Sequence, residues 1–188
     1  MKPSALLTGI LSLCAFAVLA VPRTIVSNDS RIEFVVREMG VPVVGQFKHF
    51  DAAIDIDPVT PEKSSASLRI EIGSLTTQND EADAIATGAD WLDKSHAPYA
   101  TFTSSSIRAV SPGHFEAKGV LTLRNKPRDL LIQFTSTDQG GKTLISSDFN
   151  IARSEFGIGG GVWNQGDVVA EQIGVKVRLA LGSDPFKH

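Results

Sequence analysis

Few residues of this chain are equipped for chemistry, and their spacing argues against most of it. The four histidines, His49, His96, His114 and His188, stand far apart. They lack the i, i+4 spacing that sets two imidazoles on one helical face to hold a metal, so they read as surface residues. No Gly-x-Ser-x-Gly elbow is present to raise a serine nucleophile. Gly157-Ile158-Gly159-Gly160-Gly161 has the composition of a phosphate loop. A phosphate cradle needs a following helix to aim its amides at the anion, and no helical pattern follows. The run therefore reads as a loop that requires permissive backbone. Asp80 and Asp83 form a carboxylate pair, but they sit at a helix start, where capping and the helix dipole account for them. Cys14 is the only cysteine. No catalytic residue, metal ligand or cofactor site is expected, and the chain is not expected to be an enzyme.

The N-terminus reads as an export signal rather than as part of a fold. Lys2 is its only charge before Arg23, and 5–21 is uncharged and mostly apolar. That run is short for a spanning helix, which needs about 20 such residues. Val18-Leu19-Ala20 offers modest residues where a signal peptidase cuts, so residues 1–20 are expected to leave and 21–188 to form the domain. Leu13, before Cys14, is too bulky for a lipid-attachment motif. The mature chain keeps 168 of the 188 residues, and losing Lys2 takes the formal charge from −3 to −4. That balance speaks against a nucleic-acid or anionic-membrane partner. A cysteine-free exported chain of this size suits a bacterial periplasm.

What must position any site is a series of alternating strands. In RIEFVVREMGVPVVGQFKHFDAAIDID (31–57), Ile32, Phe34 and Val36 share one face, and Met39-Gly40 makes a turn. Val41, Val43 and Phe47 share the next parity, which flips after Lys48-His49 to Phe50, Ala52, Ile54 and Ile56. A one-residue slip reverses every side chain, so a continuing strand must bend there; Gly45 lies just upstream to tolerate it. A short strand over 24–27 is expected to precede this hairpin. Ala66, Leu68, Ile70 and Ile72 make a clean stripe, and Gln78-Asn79-Asp80-Glu81 starts a short helix with Ala82, Ile85 and Ala86 as its apolar face. Gly88 ends that helix, and 89–94 offers one more turn, with Trp91 and Leu92 to plug something apolar. Weakly patterned 99–107 is followed by stripes through Phe115 to Leu123, Leu130 to Phe134, Ile145 to Ile151 and Ile173 to Leu181. Alternating strands without βαβ units predict an antiparallel meander. The fold class is all-β, an eight-stranded antiparallel barrel with a short helical insertion. An outer-membrane barrel needs two aromatic girdles, which one Tyr and two Trp cannot build.

Five segments together resemble the YceI-like family of exported lipid-binding proteins. They are Ser30-Arg31-Ile32-Glu33-Phe34 with Gly45-Gln46-Phe47; Ser74-Leu75 with Thr77 and Asp83; and Trp91-Leu92-Asp93 with Pro98-Tyr99-Ala100-Thr101-Phe102-Thr103-Ser104. Gly119-Val120-Leu121-Thr122-Leu123-Arg124 and Ile151-Ala152-Arg153-Ser154-Glu155-Phe156-Gly157-Ile158-Gly159 complete the set. The resemblance implies a lipocalin-like barrel that binds a polyisoprenoid or other long-chain lipid, with no catalysis. The chain departs from the family at Glu38, where His is common, at Asn125, where Gly is common, and near Ala82, where a basic residue is common. The first and last departures remove positive charge near the barrel mouth, so a pyrophosphate preference does not carry over. The stretch Gly159-Gly160-Gly161-Val162-Trp163 is similar to members found beside membrane b-type cytochromes, which implies an isoprenoid-quinone role or a docking partner of that kind.

The ligand-binding wall is expected to comprise Phe34, Val36, Phe47, Leu68, Ile70, Leu121, Leu123, Ile132, Phe134, Phe156, Val175 and Val177. The competing readings are a docking scaffold and a lipid hydrolase. The sequence leaves the oligomeric state open, a dimer included.

Overall fold

The computed structural model describes residues 25–160, 163 and 168–182. The expected signal segment 1–20, Thr24, Gly161 and Val162 lie outside the described residues. Strands β1 (Arg31–Glu38), β2 (Val41–Phe47), β3 (Phe50–Asp55), β4 (Ser65–Glu71) and β5 (Leu75–Thr76) are followed by helix α1 (Asp80–Ala86). Then come β6 (Tyr99–Ser111), β7 (His114–Leu123), β8 (Lys126–Gln139), β9 (Lys142–Ala152) and β10 (Gln172–Leu181). All ten strands form one antiparallel sheet in the order β3-β4-β6-β7-β8-β9-β10-β1-β2-β5. The order begins with β3 and ends beside β2, yet only Lys48 and His49 separate these two in the chain. One length of chain thus carries both margins of the sheet, which curls into a half-barrel.

Among the described residues the sheet has ten strands rather than the expected eight, for two physical reasons. The long second strand is divided at Lys48-His49, because β2 pairs with β1 while β3 pairs with β4. Buried Ser74 pins this bend: its hydroxyl accepts from His49 N at 3.0 Å and donates to Glu71 O at 2.7 Å. The other extra strand is the two-residue β5, which pairs with β2 through Gln46↔Thr76 and Phe47↔Leu75. The parity flip itself is present, with Gly45 buried on β2 and Ile54 and Ile56 buried beyond the bend.

Other expectations need correction. In the described part of the expected 24–27 strand, Ile25 makes a single bridge to Leu181 and Ser27–Asp29 is a 3-10 turn. Val41 is exposed near the β1–β2 hairpin tip, and Ile85 is exposed on α1. No helical turn is added over 89–94, which is a chain of turns. The weak patterning of β6 has a cause. A bulge between Ser104 and Ser106 shifts the inward parity from Ala100 and Phe102 to Ile107.

Helix α1 begins as its sequence dictates, with the Asn79 side chain accepting from the amides of Glu81 and Ala82. Asp83 does more than balance the helix dipole. Its Oδ1 accepts from the amide and hydroxyl of Thr77 at 2.6 and 2.7 Å, tying the helix to the preceding loop. Burial pushes this carboxyl up, but the Thr77 bonds outweigh it and hold the group below its usual value. No helix of the described residues is long and apolar enough to cross a membrane.

Inside the sheet the apolar side chains divide into two buried clusters. Ile54, Ile56, Phe115, Phe134, Ile145, Leu179 and Leu181 fill one end. Ile72, Ala100, Leu123, Ile151, Phe156 and Ile158 fill the other.

Candidate ligand cavity

Between the two clusters lies a cavity of about 220 Å³, far more than the ~10–15 Å³ that houses one water on the same scale. Its wall is built strand by strand from inward stripes. β1 supplies Phe34 and Val36, β2 supplies Phe47, and β4 supplies Leu68 and Ile70. β7 gives Leu121 and Leu123, β8 gives Ile132 and Phe134, and β10 gives Val175 and Val177. Eleven of the twelve expected wall residues therefore meet around one space. Phe156 is the exception: it is 1 % exposed and packs within the end cluster, at the close of the 3-10 turn Arg153–Phe156.

Burial along the wall shows that the interior is hollow at mid-height. Phe34, Phe47, Leu68, Ile70, Leu121, Leu130, Ile132, Phe149, Val175 and Val177 all line the cavity and are all only part-buried. The end-cluster residues above and below them are buried. In a solid core the middle would be the driest region, because interiors pack close to crystal density. Two glycines contribute to the hollow. A Cβ on Gly45 would stand 2.6 Å from Phe34 Cε1, and one on Gly119 would stand 2.7 Å from Phe102 Cζ. The far end of each ring thus occupies the space that a side chain at a glycine of the neighbouring strand would take.

A lid covers the end nearest α1. Ala86, Trp91, Leu92 and Ile158 face the cavity, and Trp91 meets Trp163 edge-on at 5.8 Å between ring centroids. Arg153 locks the lid. Its guanidinium is buried and donates to the carbonyls of Ile158 (2.9 Å), Gly159 (3.1 Å), Trp163 (3.1 Å) and Val169 (3.3 Å). Glu171, whose Oε2 lies 3.9 Å from Arg153 Nε, has its carboxyl held down by the Ser154 hydroxyl against the upward push of burial. Arg124 ties the same loop to Ala89 and Gly157 through their carbonyls.

The remaining sequence candidates resolve plainly. In the glycine-rich loop, Gly157 N and Ile158 N donate to Ser154 O and Arg153 O, and Gly159 N and Gly160 N both donate to Asp90 O. These amides are taken, so no phosphate cradle forms among the described residues. His49 and His96 are exposed beside Glu71 and Asp93, at 3.3 and 2.9 Å. No group of three His, Cys, Asp or Glu side chains gathers as a metal site among the described residues.

Sequence reasoning missed Trp91's place in the wall as a named site residue, along with Leu130, Phe149 and Ile173. The last three sit on stripes whose parity gave the signal. It also missed Arg153, for which composition gives no signal at all.

A curled antiparallel sheet enclosing an apolar cavity defines the class as a small β-barrel-type binding fold. The chain belongs to the YceI-like family: the YceI-like domain model matches residues 24–181. A UPF0312 protein of Vibrio cholerae is 28% identical over 134 residues, covering 68% of this chain and 71% of that protein. Burkholderia cenocepacia BcnA superposes with a TM-score of 0.81 at 28% identity, covering 83% of this chain and 98% of BcnA. A polyisoprenoid binding domain from Saccharophagus degradans, implicated in plant cell wall breakdown, shares the fold with a TM-score of 0.70 at 14% identity, covering 87% of this chain and 99% of that domain.

Proposed function

We propose that this protein is a non-catalytic carrier or store that holds a polyisoprenoid, or another long-chain lipid, in its apolar interior and works in the periplasm. The observation that carries the reading is the part-buried belt of inward Phe, Leu, Ile and Val side chains around the cavity. The fold likeness to a domain described as polyisoprenoid-binding supports the same ligand class. On β10 the wall runs from Ile173 to Leu179, roughly 20 Å of strand at ~3.3 Å per residue. Such a length suits a chain rather than a compact molecule. Affinity would come mainly from apolar burial, about 0.8 kcal/mol per CH₂.

The hydrolase reading gains no geometric support among the described residues: the buried hydroxyl of the wall, Ser147, donates to Gln133 O at 2.6 Å rather than to a histidine. The docking reading, beside a membrane b-type cytochrome, would use the 157–163 loop. Trp163 packs on Trp91 instead of standing free, which favours the carrier.

The test is to purify the protein from the periplasm, record its native mass, extract lipid and compare melting temperatures. A ligand at one hundred times its dissociation constant stabilises by about 2.7 kcal/mol, or roughly 5–11 °C for a domain of this size. Delipidated protein should melt lower by that order, and a long-chain isoprenoid should restore it. If no lipid co-purifies and none raises the melting temperature, the carrier reading is wrong.

A further inference from the structure

The hairpin that brings Phe34, Val36 and Phe47 to the cavity ends in a tip that breaks two local rules at once. Its turn is the pair Met39-Gly40, with φ of 49° and 82°. Positive φ at both positions is what a type I′ hairpin turn requires, and Asn-Gly or Asp-Gly fills it with least strain. A methionine in the left-handed region is strained by its own Cβ. Met39 is also 79 % exposed, with Val41 at 63 % and Val44 at 56 % following on β2. The fold gains from neither feature: an asparagine would relieve the turn, and a polar side chain would suit the solvent. Breaches of local rules without a structural gain collect at functional sites.

The tip is bonded to the lid. Met39 N donates to Val168 O, Ala170 N donates to Arg37 O, and Glu38 bridges Val169. Arg153, which locks the lid, donates to the Val169 carbonyl. One hairpin therefore meets solvent through Met39, the lid through its backbone and the cavity through Val36. Two kinds of partner fit this tip poorly. A partner strand would add to the edge of β2, where β5 covers only Gln46 and Phe47, but Pro42 has no N–H to offer it. An anionic surface calls for cations, yet Arg37 is offset by Glu38 and already donates to Gly40 O at 3.1 Å. An uncharged apolar tip beside the lid of a lipid cavity suits an uncharged apolar medium. We propose that the β1–β2 tip is a bilayer-docking point: Met39 and Val41 enter the surface of a lipid bilayer and hold the lid against it, so that a lipid chain passes into the cavity without crossing water. The inference rests on the carrier reading and adds to it the surface at which the carrier loads and unloads.

The test uses the purified protein with phosphatidylcholine vesicles carrying solanesol, a polyprenol. Co-sedimentation reads docking, and the solanesol left with the protein once the vesicles are removed reads uptake. Wild type should sediment with the vesicles equally at low and high salt. Met39→Asn and Val41→Thr should each lower vesicle binding and the uptake rate about tenfold, as the loss of one buried apolar side chain implies. Met39→Leu, still apolar, should stay within about twofold of wild type. Solanesol delivered from methyl-β-cyclodextrin should bind wild type and Met39→Asn alike, and Met39→Asn should melt at or above wild type because its turn is relieved. Wild type that ignores phosphatidylcholine vesicles overturns the docking point, as does vesicle binding or uptake that Met39→Asn leaves unchanged. Binding confined to phosphatidylglycerol vesicles and lost in salt would overturn it too, as would a Met39→Asn variant that melts several degrees lower. If solanesol from cyclodextrin does not bind at all, the carrier reading falls, and vesicle sedimentation alone then decides for or against the tip.

Discussion

Adding bulk to the wall distinguishes a hollow interior from a solid one by sign. Val177 is the best place to add it. It lies on β10 between Ile32 and Ser147, faces the cavity and is part-buried. At ~24 cal/mol per Å³ of void, a cavity of 220 Å³ left empty costs on the order of 5 kcal/mol. Val177→Phe moves a ring into that space, recovering about 1–2 kcal/mol of apolar burial in the ligand-free protein. For a domain of this size the ligand-free melting temperature should rise by roughly 2–8 °C, while affinity for a long-chain isoprenoid falls at least about tenfold. In a solid core the same change overpacks, at a cost of about 1–3 kcal/mol. Differential scanning calorimetry of delipidated protein, with and without added isoprenoid, reads both effects. A ligand-free variant that melts several degrees below wild type with isoprenoid affinity unchanged would refute the hollow interior. Gly119→Leu is not an equivalent experiment, although it adds bulk to the same face. Its Cβ would meet the Thr103 carbonyl and the Phe102 ring, so it would distort the wall before it filled the lumen.

The other predictions concern the wall and the lid. Gly45→Ala should cost about 1–3 kcal/mol and weaken lipid binding, because its Cβ, 2.6 Å from Phe34 Cε1, must push that ring into the lumen. Adding Phe34→Leu should restore much of the stability, and a double-mutant cycle of denaturant midpoints measures the coupling. Arg153→Met should cost about 3 kcal/mol or more, since four loop carbonyls lose their donor; faster amide exchange in 157–160 than in β7 would show the lid loosening first. The Asp83 carboxyl is held below its usual 3.8 by Thr77, so its contribution is fully present above about pH 4. That contribution is lost as pH falls through the lowered value. Exchange protection of the Thr77 amide should therefore be flat from neutral pH to about 4 and decline below it, and Asp83→Asn should remove that acid step.

The parts of the fold that were legible in the sequence are those where one face is dry and the other wet. The stripe Ala66, Leu68, Ile70 fixed the face of β4, and the flip from Phe47 to Ile54 located the bend to within two residues. β6 was opaque because its Thr-Ser run gives no contrast between faces, so the bulge near Ser105 left no trace in hydropathy. Ser74 could not be recognised as the pin of the bend, since its partner His49 is 25 residues away. Arg153 is similar: a lone arginine in a mixed segment looks like a surface charge until the loop folds around it. Phe156 belongs to no stripe: it lies beyond β9, at the end of the 3-10 turn Arg153–Phe156, where strand parity no longer assigns a face. The stripes also could not tell a wall from a core, because a packed interior and an apolar tunnel call for the same residue types.

What separates the two is how the side chains are laid down, and here stability and capacity occupy different heights of the same barrel. The clusters around Phe115 and Leu179 at one end and around Phe156 and Ile158 at the other bury their residues almost completely. Those ends supply the close packing that a domain needs. Phe34 in the belt and Phe102 in the first cluster each occupy the space over a glycine of a neighbouring strand, Gly45 and Gly119. A side chain at either glycine would have to displace that ring. This division explains how an open middle is tolerated: its order-of-magnitude cost of 5 kcal/mol is confined to one belt and is offset whenever that belt is filled. Among the described residues the lid is held by local turn hydrogen bonds and by single side chains, Arg153, Arg124 and Asp83, rather than by a β-ladder. Opening should begin there, because such contacts break locally while the ladders on either side stay intact.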